Sequence, residues 1–98
     1  MDEILFPTQY KKALLSKKKN MTIRIKEEIG KYKPGKVYLA KSYSGKDWDI
    51  KIRVLKRTLT TPGKLFFLGV PKKSIESMKN REKISSNEEV ELIQFKVL

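Results

Sequence analysis

Residues 48–59, WDIKIRVLKRTL, alternate apolar and polar side chains from Trp48 to Val54 and then slip phase. Period two is the signature of a strand with one buried face. Trp48, Ile50, Ile52 and Val54 share that face, whereas Leu55 and Leu59 continue on the other. A slip inside an uninterrupted strand predicts a bulge, and a bulge bends a sheet toward closure. The rest of the chain must therefore supply partners for a long, curving strand.

Five further segments read as strands: residues 4–6, 20–26, 36–43, 64–70 (KLFFLGV) and 90–98 (VELIQFKVL). In the second of these, Met21, Ile23 and Ile25 point to a buried face. Asn20, Thr22, Arg24 and Lys26 point to a polar one. Phe66, Phe67 and Leu68 are expected in the core. Turn chemistry separates the runs at YKPGK (32–36), SGKD (44–47) and TTPG (60–63). Residues 7–19 read as a helix with Thr8 as N-cap and a stripe of Tyr10, Ala13, Leu14 and Lys17. A second helix starts at or just after Pro71 and carries Ile75 and Met78 inward. Strand runs with two short helices predict an α+β chain built as a small mixed β-barrel. Parallel βαβ units would need longer helices between the strands.

Ninety-eight residues, 39% of them hydrophobic, suit one domain with a modest core. Cysteine and histidine are absent, which removes disulfides, the usual zinc sites, thiol catalysis and any His-based dyad. The eleven acids are scattered, so neither a metal nor another cofactor is expected. The longest apolar run, Leu65 to Val70, is far short of the roughly 20 residues that span a bilayer. No segment resembles a secretory leader. A soluble, cytoplasmic monomer is the expectation.

The net charge of +12 and a pI near 10.0 favour a polyanionic partner, RNA or a nucleotide. The same lysine enrichment also accompanies thermophilic composition. Lys51, Arg53 and Arg57 share the outer face of the long strand and extend a basic surface, or serve solubility alone. Lys17 to Lys19 read as a helix end favoured by the helix dipole. Tyr38, Tyr43 and Trp48 flank a lysine-bearing hairpin and suit base stacking, although Trp48 fits the core better. The pair Glu27-Glu28 reads as a solvated turn.

Lys19, Thr22 and Arg24 carry the chemistry. Thr22 and Arg24 are two apart on a strand and project from one face, with Lys19 at the preceding turn. Such a trio suits anion recognition, in which Arg supplies a planar fork, Lys a point charge and Thr a neutral hydrogen bond. Lys18, Lys51 and Arg53 would widen the binding surface. The trio also suits acyl transfer to water, with Thr22 as nucleophile and a neutral Lys19 as base. As ordinary solvent-face residues, the same side chains would do neither.

The order of a strand ending in Phe6, a helix with Tyr10 and ALL, then KKKNMTIR and YKPGKVY, resembles the ASCH domain family. Its pattern runs Lys-x-x-Thr-x-Arg after the first helix, and Lys19, Thr22 and Arg24 stand at that spacing. Lys36 stands where the family usually has Asp after the turn glycine, here Gly35. The resemblance implies a PUA-like pseudo-barrel over residues 1–98 and an RNA or nucleotide ligand. Within the family the likeness is nearest to the acetylcytidine amidohydrolases of bacteria. That group would imply deacylation of a cytidine-type nucleoside by Thr22 and Lys19, with a Glu ahead of the last strand as acid. Glu76 and Glu82 are the nearest acids to that position, and Glu76 is the expected one.

Overall fold

The computed structural model describes residues 1–98. Strand β1 (Glu3–Phe6) leads through a 3-10 turn (Thr8–Tyr10) into α1 (Lys11–Leu15) and then β2 (Met21–Ile25). Strands β3 (Val37–Ser42) and β4 (Asp47–Thr60) follow, then a 3-10 helix (Pro62–Leu68), α2 (Lys72–Glu82) and β5 (Val90–Val97). The five strands form one sheet in the order β1-β3-β4-β5-β2, with β1 parallel to β3 and the other pairs antiparallel. It is a small α+β fold whose sheet bends into a half-barrel. No helix is long and apolar enough to cross a membrane.

The bend has the cause the alternation announced. Trp48, Ile50, Ile52 and Val54 are all buried, Leu55 and Leu59 are exposed, and the β4–β5 register shifts between Val54 and Lys56. β4 pairs with β3 over 47–53 and with β5 over 52–60, and the extra residue falls within its pairing with β5, where it bends the strand.

Two clusters pack against the sheet. The larger joins Ile4, Phe6, Leu14, Tyr32 and Tyr38 to the buried faces of β4 and β5. The smaller gathers Leu65, Val70, Ile75 and Met78 against Val90 and Leu92, with Met21, Ile23 and Ile25 at its border. Leu92 joins one cluster and Ile93 the other, so β5 is covered on both faces. That double cover explains its nearly continuous apolar sequence.

Four expectations need correction. Residues 64–70 form no strand: Pro62–Leu68 winds as a 3-10 helix that buries Pro62 and Leu65. Phe67 is 82% exposed and Phe66 50%. A short apolar run does not distinguish strand from helix, and the sheet already has its five strands paired without this segment. The first helix is brief, and its 3-10 lead-in has Pro7 at the N-cap with no capping by Thr8. On β3 the buried side chains are Tyr38, Ala40 and Ser42. The polar face of β2 is no solvent face, because Arg24 is only 4% exposed.

Candidate functional site

The half-barrel leaves β1 and β2 as its two edges, and a cleft of about 840 Å³ opens beside them under α2. Phe6 and Pro7 supply one wall, and Ser74, Ser77 and Arg81 of α2 another. Lys19, Thr22 and Arg24 all line it, as does Lys18.

Backbone geometry places Lys19. The chain reverses after α1 through Lys17, whose φ is 60°, and the N–H groups of Lys18 and Lys19 both donate to Ala13 O at 3.0 and 3.2 Å. The Phe95 N–H donates to Asn20 O at 2.9 Å, pinning the turn to β5. Lys19 Nζ then sits 4.4 Å from the centroid of the Tyr10 ring, a cation–π contact. Burial, followed by the Arg24 and Arg81 charges, pulls the Lys19 ammonium from its ordinary 10.5 down to about 8. The charged neighbours responsible come from β2 and α2.

Arg24 forms the floor. Its guanidinium lies 5.1 Å from the Phe6 ring centroid and 5.3 Å from that of Tyr32. Nη2 donates to Leu5 O at 3.0 Å and Nη1 to Glu28 Oε1 at a long 3.5 Å. Nε is buried with no partner. A buried N–H without an acceptor is costly, and a ligand anion can relieve that cost.

Glu28, expected in a solvated turn, lines the cleft instead. Its Oε2 accepts a 2.5 Å hydrogen bond from Tyr32 Oη. Burial and that hydrogen bond push the Tyr32 hydroxyl well above its ordinary value. Glu82 also lines the cleft, with Arg81 Nε 3.4 Å from its carboxylate. Cations nonetheless prevail: Lys18, Lys19, Arg24, Lys73 and Arg81 face two carboxylates.

The other expected residues stand elsewhere. Glu76 is absent from the cleft, 67% exposed on α2 with Lys79 at 4.0 Å. Lys51 and Arg53 are exposed on β4, opposite Leu39 and Val37 of β3, and do not reach the cleft. Arg57 is no free surface cation, because Glu91 holds it at 2.7 Å. Tyr38 and Trp48 are core residues, while Tyr43 is exposed and lines the cleft. The α2 contribution was legible as spacing, since Ser74, Ser77 and Arg81 recur at i, i+3 and i+7. Glu28 had no such signal, because its partners come from β2 and from Tyr32 beyond a turn.

No cluster of three or more acidic, His or Cys side chains is placed to hold a metal ion. Fold and cleft together define a small α+β half-barrel with a cationic, aromatic-rimmed pocket between its sheet edges. No protein-family model and no curated protein matches the chain.

Proposed function

We propose that the cleft binds RNA or a nucleotide, seating a phosphate on Arg24. The buried, partnerless Nε of Arg24 carries this reading. Lys19, Lys73 and Arg81 add charge around it, and Tyr10 and Tyr43 offer rings at the rim. The volume is within the range of pockets that enclose small ligands. The Lys19, Thr22, Arg24 spacing shared with ASCH domains, and the PUA-like architecture it implies, favour the same ligand class. Titration of labelled single-stranded RNA and of a mononucleotide at two salt concentrations tests it. Binding should weaken steeply with salt and weaken further in Arg24→Lys. Affinity indifferent to both would reject the cleft as a phosphate site.

A second reading rests on the depressed Lys19 ammonium, which releases a proton more readily than an ordinary lysine. A neutral Lys19 takes the Thr22 hydroxyl proton while Oγ attacks the carbonyl of an acetylated cytidine. Protonation of the leaving amine then yields an acetyl-Thr22 ester, which water hydrolyses to acetate. Glu28 and Glu82 line the cleft and replace Glu76 as candidates for the acid. Cytidine release from acetylcytidine that disappears in Thr22→Ala would support this chemistry. A wild-type protein without turnover would exclude it.

A further inference from the structure

The 3-10 helix Pro62–Leu68 presents its aromatic side chains outward by construction. Leu65 is fully buried and Val70 nearly so, and the Val70 N–H donates to Leu65 O at 3.1 Å. The Gly69 N–H closes the turn onto Phe66 O at 3.1 Å, with Gly69 at φ 98°. Both ends are therefore anchored, and the segment between them stands in solvent. Phe66 and Phe67 meet edge to face, with centroids 5.8 Å apart and planes at 77°. The Lys72 ammonium lies 5.2 Å from the Phe66 ring centroid.

This platform borders the cleft already described. Gly69, Val70 and Pro71 line the cleft wall, and Phe67 precedes Gly69 by two residues, at most about 7 Å of chain. Met21 of β2 approaches the same corner, since a Cβ on Gly69 would meet its Cε at 3.6 Å. The surrounding charge is of one sign. Between Asp49 and Glu76 the sequence holds seven lysines and arginines and no acid, and of these Lys64, Lys72 and Lys73 are nearest to Phe66 and Phe67 along the chain.

We infer that Phe66 and Phe67 are a stacking platform for a single-stranded nucleic acid that continues out of the cleft. Exposed rings supply sequence-tolerant stacking and the lysines neutralise the phosphates, as in grooves that bind single strands without sequence preference. The inference rests on the proposed cleft reading and sharpens it: the ligand is a polynucleotide strand, and a mononucleotide fills only the cleft. An anionic membrane is the competing partner for rings set among lysines. Continuity with the cleft favours the nucleic acid.

The test compares wild type, Phe67→Ala, Phe66→Ala/Phe67→Ala and Phe67→Trp on an oligouridylate of about ten nucleotides, on uridine monophosphate, and on phosphatidylserine vesicles. The alanine variants should bind the oligomer roughly tenfold or more weakly and bind the mononucleotide like wild type. In Phe67→Trp the oligomer should quench the emission of the introduced indole, whereas Trp48, being buried, is shielded from a bound strand and gives the wild-type baseline. Unchanged oligomer affinity in the double alanine variant overturns the platform while leaving the cleft reading intact. Loss of oligomer and mononucleotide binding in Arg24→Lys, with no effect of the Phe substitutions, supports the cleft alone and also overturns the platform. Absence of oligomer binding by wild type overturns both. Vesicle association that depends on Phe67, without RNA binding, assigns the rings to a membrane and overturns the inference.

Discussion

Arg24 Nη2 donates a 3.0 Å hydrogen bond to the carbonyl of Leu5. The two residues belong to β2 and β1, the opposite edges of a sheet that does not close by a backbone ladder. A side chain thus spans the seam of the half-barrel, while its own Nε stays buried without a partner. The same residue that bridges the two edges also lines the cleft.

Arg24→Lys keeps the charge but removes the planar fork between Phe6 and Tyr32. The loss of a charged, buried hydrogen bond should cost about 1.5–3 kcal/mol. Urea unfolding monitored at Trp48 reads the change. A stability equal to wild type would show that the seam is held by other means.

Lys19 makes stability depend on pH, and under the proposed function ligand affinity should follow pH as well. Its folded pKa, about 8, lies below the 10.5 of the unfolded chain. Between those values the unfolded state holds more protons, so this group's contribution to stability rises with pH across that window. Affinity for an anionic nucleotide should fall over the same rise, as Lys19 loses its charge. Binding isotherms between pH 7 and 9.5 check this, and Lys19→Arg should flatten the profile.

Glu91 is fully buried within β5, where Arg57 Nη2 lies 2.7 Å away and the Gly30 N–H donates to Oε1 at 3.2 Å. Arg57→Ala leaves that carboxylate without its cation and should cost about 3 kcal/mol. The partial exposure of Arg57 argues for the lower end of the range. Arg53→Ala, on the exposed face of the same strand, should stay within about 0.5 kcal/mol. Denaturation midpoints for the two variants decide whether the pair is structural.

Gly69→Ala puts a Cβ on a residue at φ 98°. The contact with Met21 is ordinary, so backbone strain dominates, at about 1–2 kcal/mol. The thermal midpoint should drop accordingly.

Arg81 faces the cleft from α2 and is half exposed. Arg81→Ala should lower RNA affinity about equally for all sequences and reduce the salt slope by about one. Unfolding should be unaffected, which separates a phosphate contact from a structural one.

Much of the architecture was readable because it follows from local periodicity. The alternation from Trp48 to Val54 predicted a buried face, and the slip at Leu55 predicted the bulge. Ile75 and Met78 were placed inward by helical spacing and are buried. Lys19, Thr22 and Arg24 were picked out by the resemblance to the ASCH pattern, not by spacing alone, and all three line one cleft. Glu28 escaped notice because its environment is created by Tyr32 and Arg24 converging from different elements. Glu91 escaped because an acid in an apolar strand acquires meaning only once Arg57 of β4 is beside it.

Strand and helix periods and the bulge follow from residues near one another along the chain, and the excess of positive charge from composition, so all were legible without the fold. Which polar side chains are buried, which acids face the cleft, and that Phe66 and Phe67 stand in solvent emerge only when the elements pack. The physical reason is that burial is a property of the assembled surface. Leu65 and Val70 filled the available core positions, and the rings between them were left outside.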